Sequence, residues 1–211
     1  MLGQLSYATE VTALLCMAFF HWRNRTRRSL LLLVLLMGVV AVETVNHFQL
    51  LPRHGLALLN GVVVFEFCCY ALFYRWSIRT TWHRQVLLAG LVAFLTLAVL
   101  NSLLGQSFTG TIQTHTYIGG ALLAIVGVLF YFHEVLLVRA PAMPLYKHYY
   151  LWVSMGLFLF LAADVPVMMI LNYMIEHRIS LTEWPVLSVK LIASSMYYLT
   201  YALGLAWTRT E

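Results

Sequence analysis

With 211 residues, of which 62% are hydrophobic and only 10% charged, the chain cannot cover a water-facing surface, since soluble domains carry roughly a quarter charged residues. Its mean hydropathy of +0.82 points the same way: lipid is the solvent that fits, and the length allows about seven spans of roughly 20 residues with short loops. The net charge of +5 is a topological signal and not that of a nucleic-acid binder, so the class expected is all-α and polytopic.

The apolar runs are taken in chain order. A first helix is expected over 5–21, closed by the basic turn Arg23, Arg25, Arg27 and Arg28. A second, over 29–51, stops at Pro52, Arg53, His54 and Gly55. A third covers 56–76, followed by a polar turn with Arg79, His83 and Arg84. The fourth covers 86–104 and leads into a polar loop over 105–114. The fifth covers 115–138 and ends at Arg139, Pro141 and Pro144, because proline cannot continue a helix. The sixth covers 149–175, and a polar loop over 176–184 follows. Pro185 suits the first position of the seventh, over 185–207. The expectation is one seven-helix transmembrane domain over 1–211.

Orientation follows from the positive-inside rule. Ten basic residues flank the first, third and fifth connections or lie in the C-terminal tail: Arg23, Arg25, Arg27, Arg28, Arg75, Arg79, Arg84, Arg139, Lys147 and Arg209. Only two, Arg53 and Arg178, fall on the other side. This places the N-terminus outside and the C-terminus in the cytoplasm. Trp22, Trp76, Trp82, Trp152, Trp184 and Trp207 lie near helix ends, as an interfacial belt requires. The three cysteines, Cys16, Cys68 and Cys69, sit in apolar runs and read as small buried hydrophobes. The first 22 residues hold no Lys or Arg, so no basic region of a cleavable signal peptide is expected.

The informative residues are the ionisable ones inside the spans: Glu10, Glu43, Glu66, Glu134, Asp164 and Lys190. Each costs about 2.5–3.5 kcal/mol at a helix centre, and such residues face the bundle interior or water. With about 1.5 Å of rise per residue, Glu10, Glu43, Asp164 and Lys190 fall in the outer half or near the middle, level with Asn60. Glu43, Asn46 and His47 share a face of the second helix. Together these residues form an expected outward-opening polar cluster, in which Lys190 is the cation that neutralises Asp164 or Glu43. Lys190, Ser194, Tyr197 and Tyr201 continue it as a polar stripe along the seventh helix. Glu66 stands one turn from Tyr70, and Gly120, Ala124 and Gly127 make a small-residue packing seam on the fifth. Glu134 falls near the inner surface, close to Arg139.

Hydrolase templates do not fit: there is no HExxH helix and no GxSxG elbow, and the eight histidines are scattered. His47 and His133 fall at opposite faces, so one haem cannot use both. A retinal-binding lysine belongs near mid-membrane with a counterion at its depth on the third helix, whereas Lys190 lies near the outer end and Glu66 near the centre.

The run Val42-Glu43-Thr44-Val45-Asn46-His47, then Asn60, Phe65-Glu66-Phe67, Thr116-Tyr117-Ile118-Gly119 and Tyr131-Phe132-His133-Glu134, resembles a group of small, largely uncharacterised seven-helix membrane proteins of Bacteroidota. The resemblance spans the second to seventh helices and implies acids at Glu43, Glu66 and Glu134 as features of the group. His133 departs from it, standing where the group has Tyr. The resemblance implies the fold and a bacterial inner membrane, and supplies no activity.

The reading ranked first is a sensor or receptor-like module. It binds a small ligand or protons through Glu10, Glu43, Asn46, His47, Asn60, Glu66, Asp164, Lys190, Ser194 and Tyr197. A small transporter or ion-conducting protein ranks second. An intramembrane enzyme and a retinal- or haem-binding protein rank lower. The partners expected are the bilayer, a cytoplasmic or membrane signalling protein and a second copy of the chain. No nucleic acid, metal or cofactor is expected.

Overall fold

Among the described residues the chain builds seven α-helices and no strand. The structure, a computed structural model, describes residues 2–48, 55–138, 147–177 and 186–207. The helices are α1 (Leu2–Arg23), α2 (Arg27–His47), α3 (Gly55–Ser77), α4 (Thr81–Leu104), α5 (Thr114–His133), α6 (Tyr149–Glu176) and α7 (Val186–Trp207), with a π-helical turn, Glu134–Val138, closing α5. Pro52, Arg53, His54, Arg139, Pro141, Pro144, Arg178, Trp184, Pro185 and Arg209, all used in the sequence reading, lie outside the described residues.

Among the described residues five helical segments are long and apolar enough to cross a membrane: Arg27–His47, Gly55–Ser77, Thr81–Leu104, Thr114–Val138 and Tyr149–Met174. Their outward side chains include Val34, Met37, Val92, Leu95, Leu122, Leu129, Leu159 and Met169. An apolar surface on that scale marks contact with lipid rather than water.

Helix ends differ from the apolar limits where polar chemistry decides them. α2 begins before Ser29 because Thr26 is its N-cap. The Thr26 hydroxyl accepts the N–H of Ser29 at 3.1 Å while the Ser29 hydroxyl accepts that of Thr26 at 3.2 Å, a reciprocal capping box. α2 ends at His47, earlier than its apolar run, since Phe48 leaves helical geometry at φ −90°, ψ 5°. α4 starts at Thr81, five residues ahead of the apolar limit, so Trp82, His83 and Arg84 belong to its first turn rather than to a loop.

The chain groups into two compact units, one of Met1–Cys16 with Met143–Glu211 and one of Met17–Ala142. In the second unit α3 packs on α2, α4 and α5. Glycines set the register. Gly120 of α5 lies against Phe67 of α3, and seven residues on, Gly127 lies against Tyr74, so a Cβ at Gly127 would stand 2.7 Å from the Tyr74 ring. Both partners advance together, so α3 and α5 run parallel. Phe67 also meets Tyr117 edge-on, ring centroids 5.4 Å apart, and Tyr74 meets Tyr131 at 6.0 Å. The Gly120–Gly127 seam thus brings the backbone of α5 against aromatic side chains, as small residues do between membrane helices. On the other face of α5, Gly90 pairs with Leu123 and Leu97 with Gly119, an antiparallel register for α4. Gly38 faces Phe65 and Asn46 faces Gly55, so α2 also opposes α3. These four helices therefore alternate in direction. In the first unit α6 and α7 form an antiparallel pair, with Gly156 against Thr200 and Gly204 against Tyr149 and Trp152.

Candidate functional site

The antiparallel register of α6 and α7 brings together two of the charges that the sequence places inside expected spans. Asp164 has no exposed side-chain surface, and its Oδ2 lies 3.8 Å from Nζ of Lys190, whose side chain is 36% exposed. At 3.8 Å this is an ion pair and not a hydrogen bond. The ammonium also lies 3.3 Å from the Met168 sulfur, one turn along α6, a weak acceptor. Pro166 stands inside α6 two residues after Asp164. It has no N–H to give the carbonyl of Ala162, so the helix lacks one backbone bond beside the ion pair.

On α7 the stripe continues from half-buried Ser194 to Tyr197 and Tyr201, both buried, with hydroxyls 2.8 Å apart. Tyr197 stacks on Phe160 at a centroid distance of 5.5 Å and 19° between planes. In the same unit Glu10 is buried on α1 and accepts from the Ser6 hydroxyl at 3.3 Å.

The remaining expected site residues belong to the Met17–Ala142 unit. Glu66 accepts the Tyr70 hydroxyl at 2.8 Å, the one-turn contact that the spacing suggests. Glu43 and Asn46 are half-buried near the end of α2, and His47 is exposed. Asn60 is buried, and its amide is committed to the α4–α5 loop. It donates to the carbonyls of Phe108 and Thr111, each at 2.8 Å, and accepts the N–H of Gln113 at 3.1 Å. Gln113 in turn donates to the Ser102 hydroxyl at 2.7 Å, and Asn101 to that of Thr116 at 3.0 Å. These bonds hold the loop to the helix ends that it joins, a role that sequence spacing did not suggest for Asn60.

At the opposite end of this unit Glu134 is 2% exposed. Its carboxylate accepts the N–H of Arg79 at 2.7 and 2.8 Å through its two oxygens, and that of Thr80 at 3.3 Å. A carboxylate against the start of α4 satisfies orphan donors and complements the helix dipole. The π-helical turn that begins at Glu134 marks the place where α5 adjusts. Arg139, its expected neighbour, lies outside the described residues.

Among the described residues no group of three His, Cys, Asp or Glu side chains could hold a metal ion. No family model, curated protein or solved structure matches the chain.

Proposed function

We propose that the chain is a seven-span protein of the bacterial cytoplasmic membrane, N-terminus outside and C-terminus inside, and that it serves as a sensor or receptor-like module centred on Asp164 and Lys190. The inner-membrane assignment rests on the resemblance to the Bacteroidota group, and the orientation on the ten-to-two distribution of basic residues. α1 and α7 fall outside the set of strongly apolar spans and carry Glu10 and Lys190. Polar spans belong inside a bundle, which is consistent with seven crossings rather than five.

The observation that carries the functional reading is the asymmetry of the pair. A carboxylate with no exposed surface faces, at 3.8 Å, an ammonium that is 36% exposed. An anion reaching Lys190 alters the charge that balances Asp164, beside the backbone bond missing at Pro166. Such a pair is a two-state element that a small ligand can bias. Signal output then passes to a partner protein.

A transporter or ion conductor is the second reading, favoured by the Tyr197–Tyr201 hydroxyl contact that extends the stripe. The close packing of Phe160 on Tyr197 opposes it. Two measurements separate them. Reconstituted protein should pass no more protons or cations under a pH gradient than empty liposomes. Its thermal stability should respond to small carboxylates, and the response should vanish in Lys190→Met. Flux well above the liposome background, abolished by Asp164→Asn, makes the transporter reading the better one.

A further inference from the structure

An open cavity of about 410 Å³ lies at the basic end of the Met17–Ala142 unit, lined by Arg27, Arg28, Trp76, Ile78, Arg79 and Arg84. Its size is within the range of small-ligand sites, roughly 300–1,000 Å³. Arg27 and Arg28 open α2, and Arg84 lies in the first turn of α4, where the helix dipole disfavours a cation. The positive-inside rule accounts for the sign and side of these charges. It gives no reason for four of them to surround one space, where they repel each other. Glu43, Glu66 and Glu134 are the acids of this unit, and Glu134 is the one at this end, turned onto the N–H groups of Arg79 and Thr80. Trp76, 43% exposed, adds an aromatic rim at a helix end, the depth at which indoles meet lipid headgroups.

We propose that this cavity binds a phosphate group, carried by an anionic phospholipid of the adjacent leaflet. Guanidinium forks match phosphate oxygens in pairs, and basic recesses between spans on the cytoplasmic side suit anionic headgroups. Free phosphate offers the same chemistry to the arginines. Trp76 and Ile78 favour the lipid, whose glycerol and first methylenes give an apolar rim something to cover.

The test uses the full chain in nanodiscs of phosphatidylcholine alone or with added phosphatidylglycerol or cardiolipin. Thermal unfolding and native mass spectrometry are read. Anionic lipid should raise the unfolding temperature and be retained through delipidation. Arg79→Gln with Arg84→Gln should weaken retention about tenfold or more, from the loss of charge-assisted bonds. Arg23→Gln with Arg25→Gln removes equal charge from the neighbouring turn, outside the lining, and should leave retention near that of the unaltered chain. Should the first pair fold poorly, Arg79→Lys with Arg84→Lys keeps the charge and removes the forks, and should still weaken retention. Equal losses in the two Gln pairs, or full retention in the Lys pair, overturn the site. Stabilisation by millimolar inorganic phosphate that phospholipid does not add to overturns the lipid assignment.

Discussion

At the scale of single residues, Asp164 and Lys190 carry unequal burdens. Lys190 can reach beyond the protein surface when its partner is removed, whereas Asp164, with no exposed side-chain surface, cannot. Removing one member of a buried pair costs about 3–5 kcal/mol, and replacing both by apolar groups is often near neutral. Lys190→Met, which removes the cation facing a carboxylate with no exposed surface, should therefore destabilise the protein more than Asp164→Leu. The double substitution should recover most of the loss. Chemical unfolding in a fixed detergent measures all three. A double variant no more stable than Lys190→Met would show that the two charges do not compensate each other.

At the scale of elements, the packing face of α5 was legible in the sequence, whereas its partner α3 and the bonds at the end of α5 were not. Gly120, Ala124 and Gly127 repeat at helical spacing, and spacing is what a packing face leaves in a sequence. That Lys190 needs a carboxylate partner was legible, because it is the one Lys or Arg lying well inside the expected spans, but spacing left Asp164 and Glu43 open and the α6–α7 register selects Asp164. Glu134 and Asn60 bond to main-chain groups 48 to 55 residues away. Main-chain donors and acceptors are the same at every residue, so such partners leave no trace in residue identity. The convergence of Arg27, Arg28, Arg79 and Arg84 on one cavity was hidden likewise, since charge counting fixes a side of the membrane and not a distance. The seam yields its own test. A Cβ at Gly120 would run into the Phe67 ring, so Gly120→Val must push α5 from α3 and should destabilise the fold by about 1–3 kcal/mol or more. Phe67→Leu in the same chain should return part of that. Leu122, 55% exposed on α5, should tolerate Ala with little change. Thermal unfolding of the three variants reads the comparison, and equal effects at Gly120 and Leu122 would remove the seam from the fold's support.

At the scale of the whole molecule, the alternation of α2, α3, α4 and α5 fixes what topology can be. Their glycine and aromatic registers place the α1–α2 and α3–α4 turns at one end of the Met17–Ala142 unit and the α4–α5 loop at the other. The first end gathers the arginines, and the second is held by the uncharged Asn60–Gln113 network. A cysteine at Arg25 and one at Thr81 must therefore label alike, however the chain inserts, provided that α2 and α3 both cross. With Cys16, Cys68 and Cys69 replaced by Ala, single cysteines at Arg25, Thr81 and Lys147 should resist an impermeant thiol reagent in intact cells. One at Thr109, exposed in the α4–α5 loop, should react. Unlike labelling at Arg25 and Thr81 would mean that one of α2 and α3 does not span, and reaction at both would invert the orientation. Lys147 belongs to the other unit, so its protection tests whether α5 and α6 are joined on the cytoplasmic side. Thr208→Cys then decides between seven crossings and six. Its protection requires that α7, despite Lys190, passes through the bilayer with the polar stripe turned away from lipid.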